Sequence, residues 1–345
     1  MKELLEFSPK ERQQVFEEAT ARSTTIKNPI IIEKDFWVCW TLSQIFTNAA
    51  LSSHVIFKGG TSLSKCYNII QRFSEDIDLT LSKTYIGIDS ENDPAQGVSG
   101  KQQKKRLDEL SNKVKNKVGE EIKPILMTQF EKGLSDYFDE SQWQLELDED
   151  DAQSLKFHYP TNVPKKDNDY IQSAIKLEFG ARGDISPYEN KNVTSYCQQL
   201  LPELGTEAPE ITVPTLLAKR TYWEKITLLH AEYHRSPKKP LPRRLYRHYY
   251  DIIMLDKKNI TQEAMQDIEL LEDVRRNKSI YFPAKWANYD KAVIGSLRLY
   301  PNEAFIDQLK ADHAKMGDMF FGNAPDFDET LEHIKRIEKI VNNTE

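Results

Sequence analysis

The sequence predicts an α+β fold, a small mixed sheet flanked by helices and followed by a helical C-terminal domain. Three observations carry that expectation. His54 to Phe57, Gly59-Gly60 and the run to Leu81 read as strand, glycine turn, short helix and second strand. The segment YIQSAIKLEFG, Tyr170 to Gly180, alternates with Ile175, Leu177 and Phe179 on one side and Lys176 and Glu178 on the other. From Val213 the pattern turns helical, as PTLLAKRTYWEKITLLHAEYHR.

Taken in order, Ser8-Pro9-Lys10-Glu11 combines a cap, a first-turn proline and a capping-box glutamate, and predicts a helix to about Ala21. Asn28-Pro29 opens a second helix whose Phe36, Trp37, Trp40 and Ile45 face inward over the sheet. Glu33 and Asp35 suit the N-terminal dipole of that helix. Thr84 to Gly100 reads as a loop, followed by helices from Lys101 to about Val118 and from about Pro124 to Phe138. Their sparse apolar positions predict a peripheral location. Trp143 to Leu147 and Ser154 to Tyr159 are candidate strands around the acidic turn Asp148 to Asp151. Beyond Val213, Leu216, Leu217, Trp223, Ile226 and Leu229 are expected to face inward. Pro237 to Pro242 interrupts with a basic loop, RRLYRHYYDIIMLDKK resumes a helix, and the remainder fits a helical bundle. The expected division is residues 1–208, with an insertion at about 84–169, and residues 209–345.

Composition narrows the class. The chain is 39% hydrophobic and 29% charged, with no apolar run near the ~20 residues of a membrane span. MKELLEFSPKERQQ has no signal core, and Cys39, Cys66 and Cys197 are too far apart for a metal knuckle or a disulfide framework. A cytoplasmic location with reduced thiols is the expectation. The net charge of −7 argues against a surface that coats nucleic acid as a whole. Arg235 to Arg247, however, holds six basic residues and no acid.

The first stretch carries the chemistry. In SEDIDLTL, Asp76, Asp78 and Thr80 share one face, and two carboxylates on one face call for a cation between them. Gly59-Gly60 gives a close backbone turn, and Thr61 or Ser62 is the expected helix cap, leaving N–H groups for a phosphate. Glu178 offers a third carboxylate, or an exposed partner for Lys176. Lys225 and Arg247 are candidate phosphate cations, with Asp251 one turn beyond Arg247 to orient it or to contact the nucleotide. No P-loop, dinucleotide fingerprint or nucleophile elbow occurs, and His230 and His234 lack the glutamate of a zinc helix. Nucleotidyl or phosphoryl transfer remains.

KGGTSLSK followed by RFSEDIDL is similar to the first two motifs of the AbiEii/AbiGii abortive-infection nucleotidyltransferase family, toxins of type IV-like toxin–antitoxin pairs related to the MenT toxins. EKDFW upstream, Lys225 in WEKI and Arg247 to Asp251 in RHYYD resemble further family segments, so the resemblance runs from Glu33 to Asp251. It implies a polymerase-β-like nucleotidyltransferase core, Mg²⁺, an NTP substrate and an RNA acceptor, the tRNA 3′ end in several relatives. It also implies a cognate antitoxin. Carried over by position, Gly60, Ser62, Asp76, Asp78, Lys225 and Asp251 form the site; Lys58, Gly59, Thr61, Ser74 and Arg247 are expected to bind the nucleotide beside them. Ser74 matches a serine phosphorylated in some relatives. His248 stands where an aspartate often follows the arginine, and SPKKPLPRR separates Lys225 from Asp251. An RNA acceptor is expected along Arg235, Lys238, Lys239, Arg243 and Arg244. Rival readings are a protein or small-molecule acceptor, self-modification at Ser74, or an inactive partner-binding module.

Overall fold

The computed structural model describes residues 2–97, 99–164, 172–204, 211–322 and 324–343. The chain forms two compact units, Met1–Cys66 with Phe73–Thr215, and Tyr67–Arg72 with Leu216–Glu345. The expected 208/209 boundary lies outside the described residues, as do Tyr170 and Ile171 of the expected strand.

Among the described residues, seven strands make one mixed sheet: β1 (Val55–Lys58), β2 (Ile77–Leu81), β3 (Gln144–Leu147), β4 (Ser154–His158), β5 (Ala174–Gly180), β6 (Tyr188–Val193) and β7 (Ile211–Leu216), ordered β3-β4-β5-β2-β1-β7-β6. The pairs β1–β2, β3–β4 and β4–β5 are antiparallel, while β2–β5 and β1–β7 are parallel. Alternation sets the faces: Ile77, Leu79 and Leu81 of β2 and Ile175, Leu177 and Phe179 of β5 are all buried.

Val213 to Leu216 is strand, not helix: Ile211, Val213 and Thr215 alternate as buried β-branched residues, and Phe57 pairs with Thr215. Leu216 and Leu217 therefore precede the helix rather than line its face. The sheet also gains β6, whose sequence YENKNV carries little apolar alternation to announce it.

Helices α1 (Lys2–Glu6), α2 (Pro9–Arg22) and α3 (Pro29–Phe46) open the chain. Ser8 closes its capping box with Glu11, and Asn28 caps α3 through Ile30 N–H. Helix α3 is buried on every side from Ile30 to Leu42. Trp37 stacks on Tyr159 with ring centroids 5.7 Å apart, and Trp40 on Phe157 at 5.5 Å. Short α4 (Gly59–Lys65) follows β1 directly. The segments α5 (Gly100–Lys117) and α6 (Lys123–Leu134) join through one π-helical turn, Val118–Ile122. Leu107, Leu110, Val114, Val118, Ile122, Leu126, Phe130 and Leu134 are buried along them, so this helix is half core rather than peripheral. Helix α7 (Tyr196–Leu200) completes the unit.

The second unit holds α8 (Ala218–Tyr233), α9 (Tyr246–Asp256), α10 (Ile260–Met265), α11 (Ile268–Tyr281), α12 (Ile306–Lys315) and α13 (Phe327–Val341). Residues Tyr67–Arg72 belong to it: Ile69 and Ile70 are buried, Tyr250 Oη accepts from Gln71 N–H at 3.1 Å, and Phe321 N–H donates to the Gln71 carbonyl at 2.9 Å. No helix is long and apolar enough to cross a membrane among the described residues.

Candidate active site

The glycine turn and the acidic strand meet at Gly59 and Asp78. Gly59 starts α4 with φ +80°, a left-handed conformation that costs L-residues with a side chain. A Cβ on Gly59 would stand 2.7 Å from Asp78 Cγ and overlap its carboxylate outright. The antiparallel register explains the approach, since Lys58 pairs with Asp78 across β1 and β2. Asp76 and Asp78 are half-buried on the face opposite Ile77 and Leu79. Gly183 completes this face, where a Cβ would lie 3.1 Å from Lys58 Nζ and 3.5 Å from Thr80 Oγ1.

Thr61 and Ser62 are not the caps of α4, because the helix begins two residues earlier and Lys58 occupies the cap position. Ser62 Oγ instead donates to the Gly59 carbonyl at 2.9 Å. Thr61 Oγ1 bonds Ser74 Oγ at 3.0 Å and the Asp76 carbonyl, tying the turn to the acidic strand from within. Gly60 lies half-buried at the start of the same helix.

Glu178 is the register partner of Asp78 on parallel β5, so the expected third carboxylate stands on the adjoining strand. Lys176 Nζ contacts Glu178 Oε1 at 2.9 Å, so the ion-pair alternative holds as well. Among the described residues no group of three or more His, Cys, Asp or Glu side chains is drawn together as a metal cage. Proteins in general hold Mg²⁺ through one or two carboxylates, waters and substrate phosphates, and Asp76 with Asp78 beside a side-chain-free turn fits that donor set.

In the second unit, Asp251 is fully buried and doubly held. Arg72 grips it with Nε–Oδ1 and Nη2–Oδ2 both at 2.8 Å, and Lys225 Nζ lies 2.9 Å from Oδ2. Burial would raise the Asp251 carboxyl, but Arg72 and Lys225 outweigh it and hold the group well below the usual range. Lys225 Nζ also lies 3.4 Å from His248 Nδ1. Burial, with Lys225 and Arg247 nearby, keeps that imidazole neutral. The expected Asp251 partner was Arg247; the bidentate partner is Arg72, which sequence reasoning missed. Its signal was physical: an aspartate among Tyr249, Tyr250, Ile252 and Ile253 needs buried cations. Arg247 is half-exposed on the first turn of α9.

The basic loop divides. Lys238, Lys239 and Arg243 are exposed, whereas Arg235 pairs with Glu232 and its guanidinium sits 4.8 Å from the Trp286 ring centroid. Arg244 is half-buried and donates its backbone N–H to Asp312. Of the histidine pair, His230 is held on both ring nitrogens: Nδ1 accepts from Arg298 N–H and Nε2 donates to the Asn288 carbonyl, each at 3.1 Å. Cys39, Cys66 and Cys197 are free thiols, and burial pushes Cys66 up to about 11.

The family model described as nucleotidyl transferase AbiEii toxin, type IV toxin–antitoxin system, matches residues 40–333. No curated protein matches the chain. Among solved structures, MenT4, a nucleotidyltransferase toxin of Mycobacterium tuberculosis H37Rv, is 12% identical with a TM-score of 0.45, over 98% of this chain and 91% of that one. JHP933 from Helicobacter pylori is 12% identical with a TM-score of 0.40, over 90% and 92%.

Proposed function

The chain belongs to the AbiEii family of nucleotidyltransferase toxins, and from that premise we propose that it transfers a nucleoside monophosphate from an NTP to RNA in the cytoplasm, with the tRNA 3′ end as acceptor. The observation that supports this reading is the Asp78 carboxylate lying against side-chain-free Gly59, which brings the glycine turn and the acidic strand together. Asp76 and Asp78, with Glu178 alongside, would hold Mg²⁺. The ion, when bound, neutralises phosphate charge and polarises the reacting phosphorus. Gly59, Gly60, Thr61 and Ser62 offer backbone N–H groups to the triphosphate, with Lys58 adding positive charge. Lys225 and Arg247 are the cations this reading assigns to charge building up on the leaving group. The acceptor oxygen bonds the α-phosphorus, the α–β phosphoanhydride breaks, pyrophosphate leaves and a carboxylate takes the hydroxyl proton.

Lys238, Lys239 and Arg243, exposed on the basic loop, serve the RNA backbone in this reading, with Arg235 and Arg244 holding the loop, and a cognate antitoxin restrains the toxin. The test offers each of the four NTPs, labelled at the α-phosphate, with total RNA. Label should enter RNA with the native chain and vanish with Asp76→Ala; equal labelling by the variant refutes the assignment. A second reading is favoured by the 3.0 Å bond from Thr61 to Ser74, which sets a hydroxyl beside the turn. Intact-mass measurement after NTP incubation, on the native chain and on Ser74→Ala, decides it, since a mass gain without RNA labelling that the variant loses makes Ser74 the acceptor.

A further inference from the structure

We propose that Lys34 and Asp35, consecutive on α3, are positioning residues that hold the two halves of the nucleotide site in register; the inference rests on the nucleotide reading above. The Lys34 ammonium is buried and donates to Glu75 Oε2 at 2.6 Å and to the Gln172 carbonyl at 2.9 Å. Glu75 lies between Ser74 and Asp76 just before β2, and Gln172 lies two residues before β5. One cation therefore ties together the beginnings of the two strands that carry register partners Asp78 and Glu178.

Asp35 acts on the glycine turn. Its Oδ1 accepts from Lys65 Nζ and its Oδ2 from Tyr196 N–H, both at 2.6 Å. Lys65 is the last residue of α4, whose first residue is Gly59, and its ammonium lies 3.7 Å from the Tyr196 ring centroid. Burial lifts the Asp35 carboxyl, while that carboxylate holds Lys65 protonated well above its ordinary range. The far end of α4 is thus fixed from behind while its near end meets Asp78. A shift of α4 along its axis would carry the Gly59 backbone into or away from that carboxylate.

The platform is rigid, because α3 is buried all round and close-packed interiors do not yield continuously. The dipole account expected for Asp35 fails, since the first turn of α3 holds no acid. Stability alone is also a poor account, because apolar residues replace buried ion pairs at little cost. Two adjacent pairs aimed at both parts of one site are what precise placement requires.

The test uses the full chain, Mn²⁺ and the non-hydrolysable α,β-methylene analogue of each of the four NTPs, with calorimetric binding and thermal melting measured together. Lys34→Met/Glu75→Gln removes both charges of the pair. It should melt near the native temperature and weaken Mn²⁺–nucleotide binding by about 10–100-fold. Lys34→Arg should restore most of the affinity. Native affinity in the double variant, whatever its melting temperature, overturns the proposal. Should that variant fail to fold, Glu75→Gln alone decides, and unchanged binding overturns it. Asp78→Asn separates the two claims. If it abolishes binding while Lys34→Met/Glu75→Gln binds at native affinity, the positioning role alone falls. If the native chain binds no Mn²⁺–nucleotide, the nucleotide reading falls and takes this one with it.

Discussion

Asp78 fills the space that a side chain on Gly59 would need. Gly59→Ala must therefore displace the carboxylate and also hold a left-handed backbone. The backbone alone costs about 1–2 kcal/mol. Nucleotide transfer should be lost even in protein that remains folded. Gly295→Ala is the control: φ is +91° there, but a Cβ meets nothing within 4 Å. It should melt early yet keep transfer activity, as thermal melting and RNA labelling will show.

Asp251→Asn leaves Arg72 and Lys225 buried without their shared anion, at a cost of about 3–5 kcal/mol in urea unfolding at neutral pH. The native carboxyl is depressed on folding, so its contribution is present above the unfolded value of about 3.9 and is lost as pH falls below it toward the folded value. The gap between native and variant should therefore be constant at neutral pH and narrow below about pH 4.

His230 gives the chain a second acid-sensitive point. Burial lowers it from 6.5 to about 4, and the Arg298 N–H at Nδ1 requires the neutral ring. Its stabilisation is complete above pH 6.5 and declines as pH falls toward about 4, by at most about 1.4 kcal/mol per pH unit. His230→Gln should flatten that stretch of the stability–pH curve, as urea melts at half-unit intervals will reveal.

The exposed members of the basic loop are the ones to test for RNA. Replacing Lys238, Lys239 and Arg243 together with alanine should weaken binding uniformly across sequences. It should also reduce the salt slope of log K by about 0.7–0.9 for each phosphate that is no longer neutralised. Arg235→Ala acts differently, because that guanidinium is committed to Glu232 and Trp286, and its removal should register in thermal melting first.

What the sequence disclosed followed from local pattern. The period-two alternation of SEDIDLTL and YIQSAIKLEFG anticipated that Asp78 and Glu178 would share a face on neighbouring strands, and the Ser8 and Asn28 caps marked their helices. What it withheld was long-range. Glu33 sits in the second turn of its helix and accepts from Thr161 and Asn162, more than a hundred residues away, so a dipole argument was the wrong scale. Lys34 and Asp35 find partners beyond any local window for the same reason. Strand β7 was masked by Pro214 and the helix-favouring LLAKR that follows.

The six residues Tyr67–Arg72 give the chain an order of assembly. They lie between the glycine turn and the acidic strand in sequence, yet their burial partners are residues past Leu216. A ribosome making this chain releases the glycine turn and Asp76 long before Asp251 exists to receive Arg72. The segment between those two motifs is secured only when the C-terminal half has emerged. A nascent or truncated chain thus carries Tyr67–Arg72 without the residues that bury it.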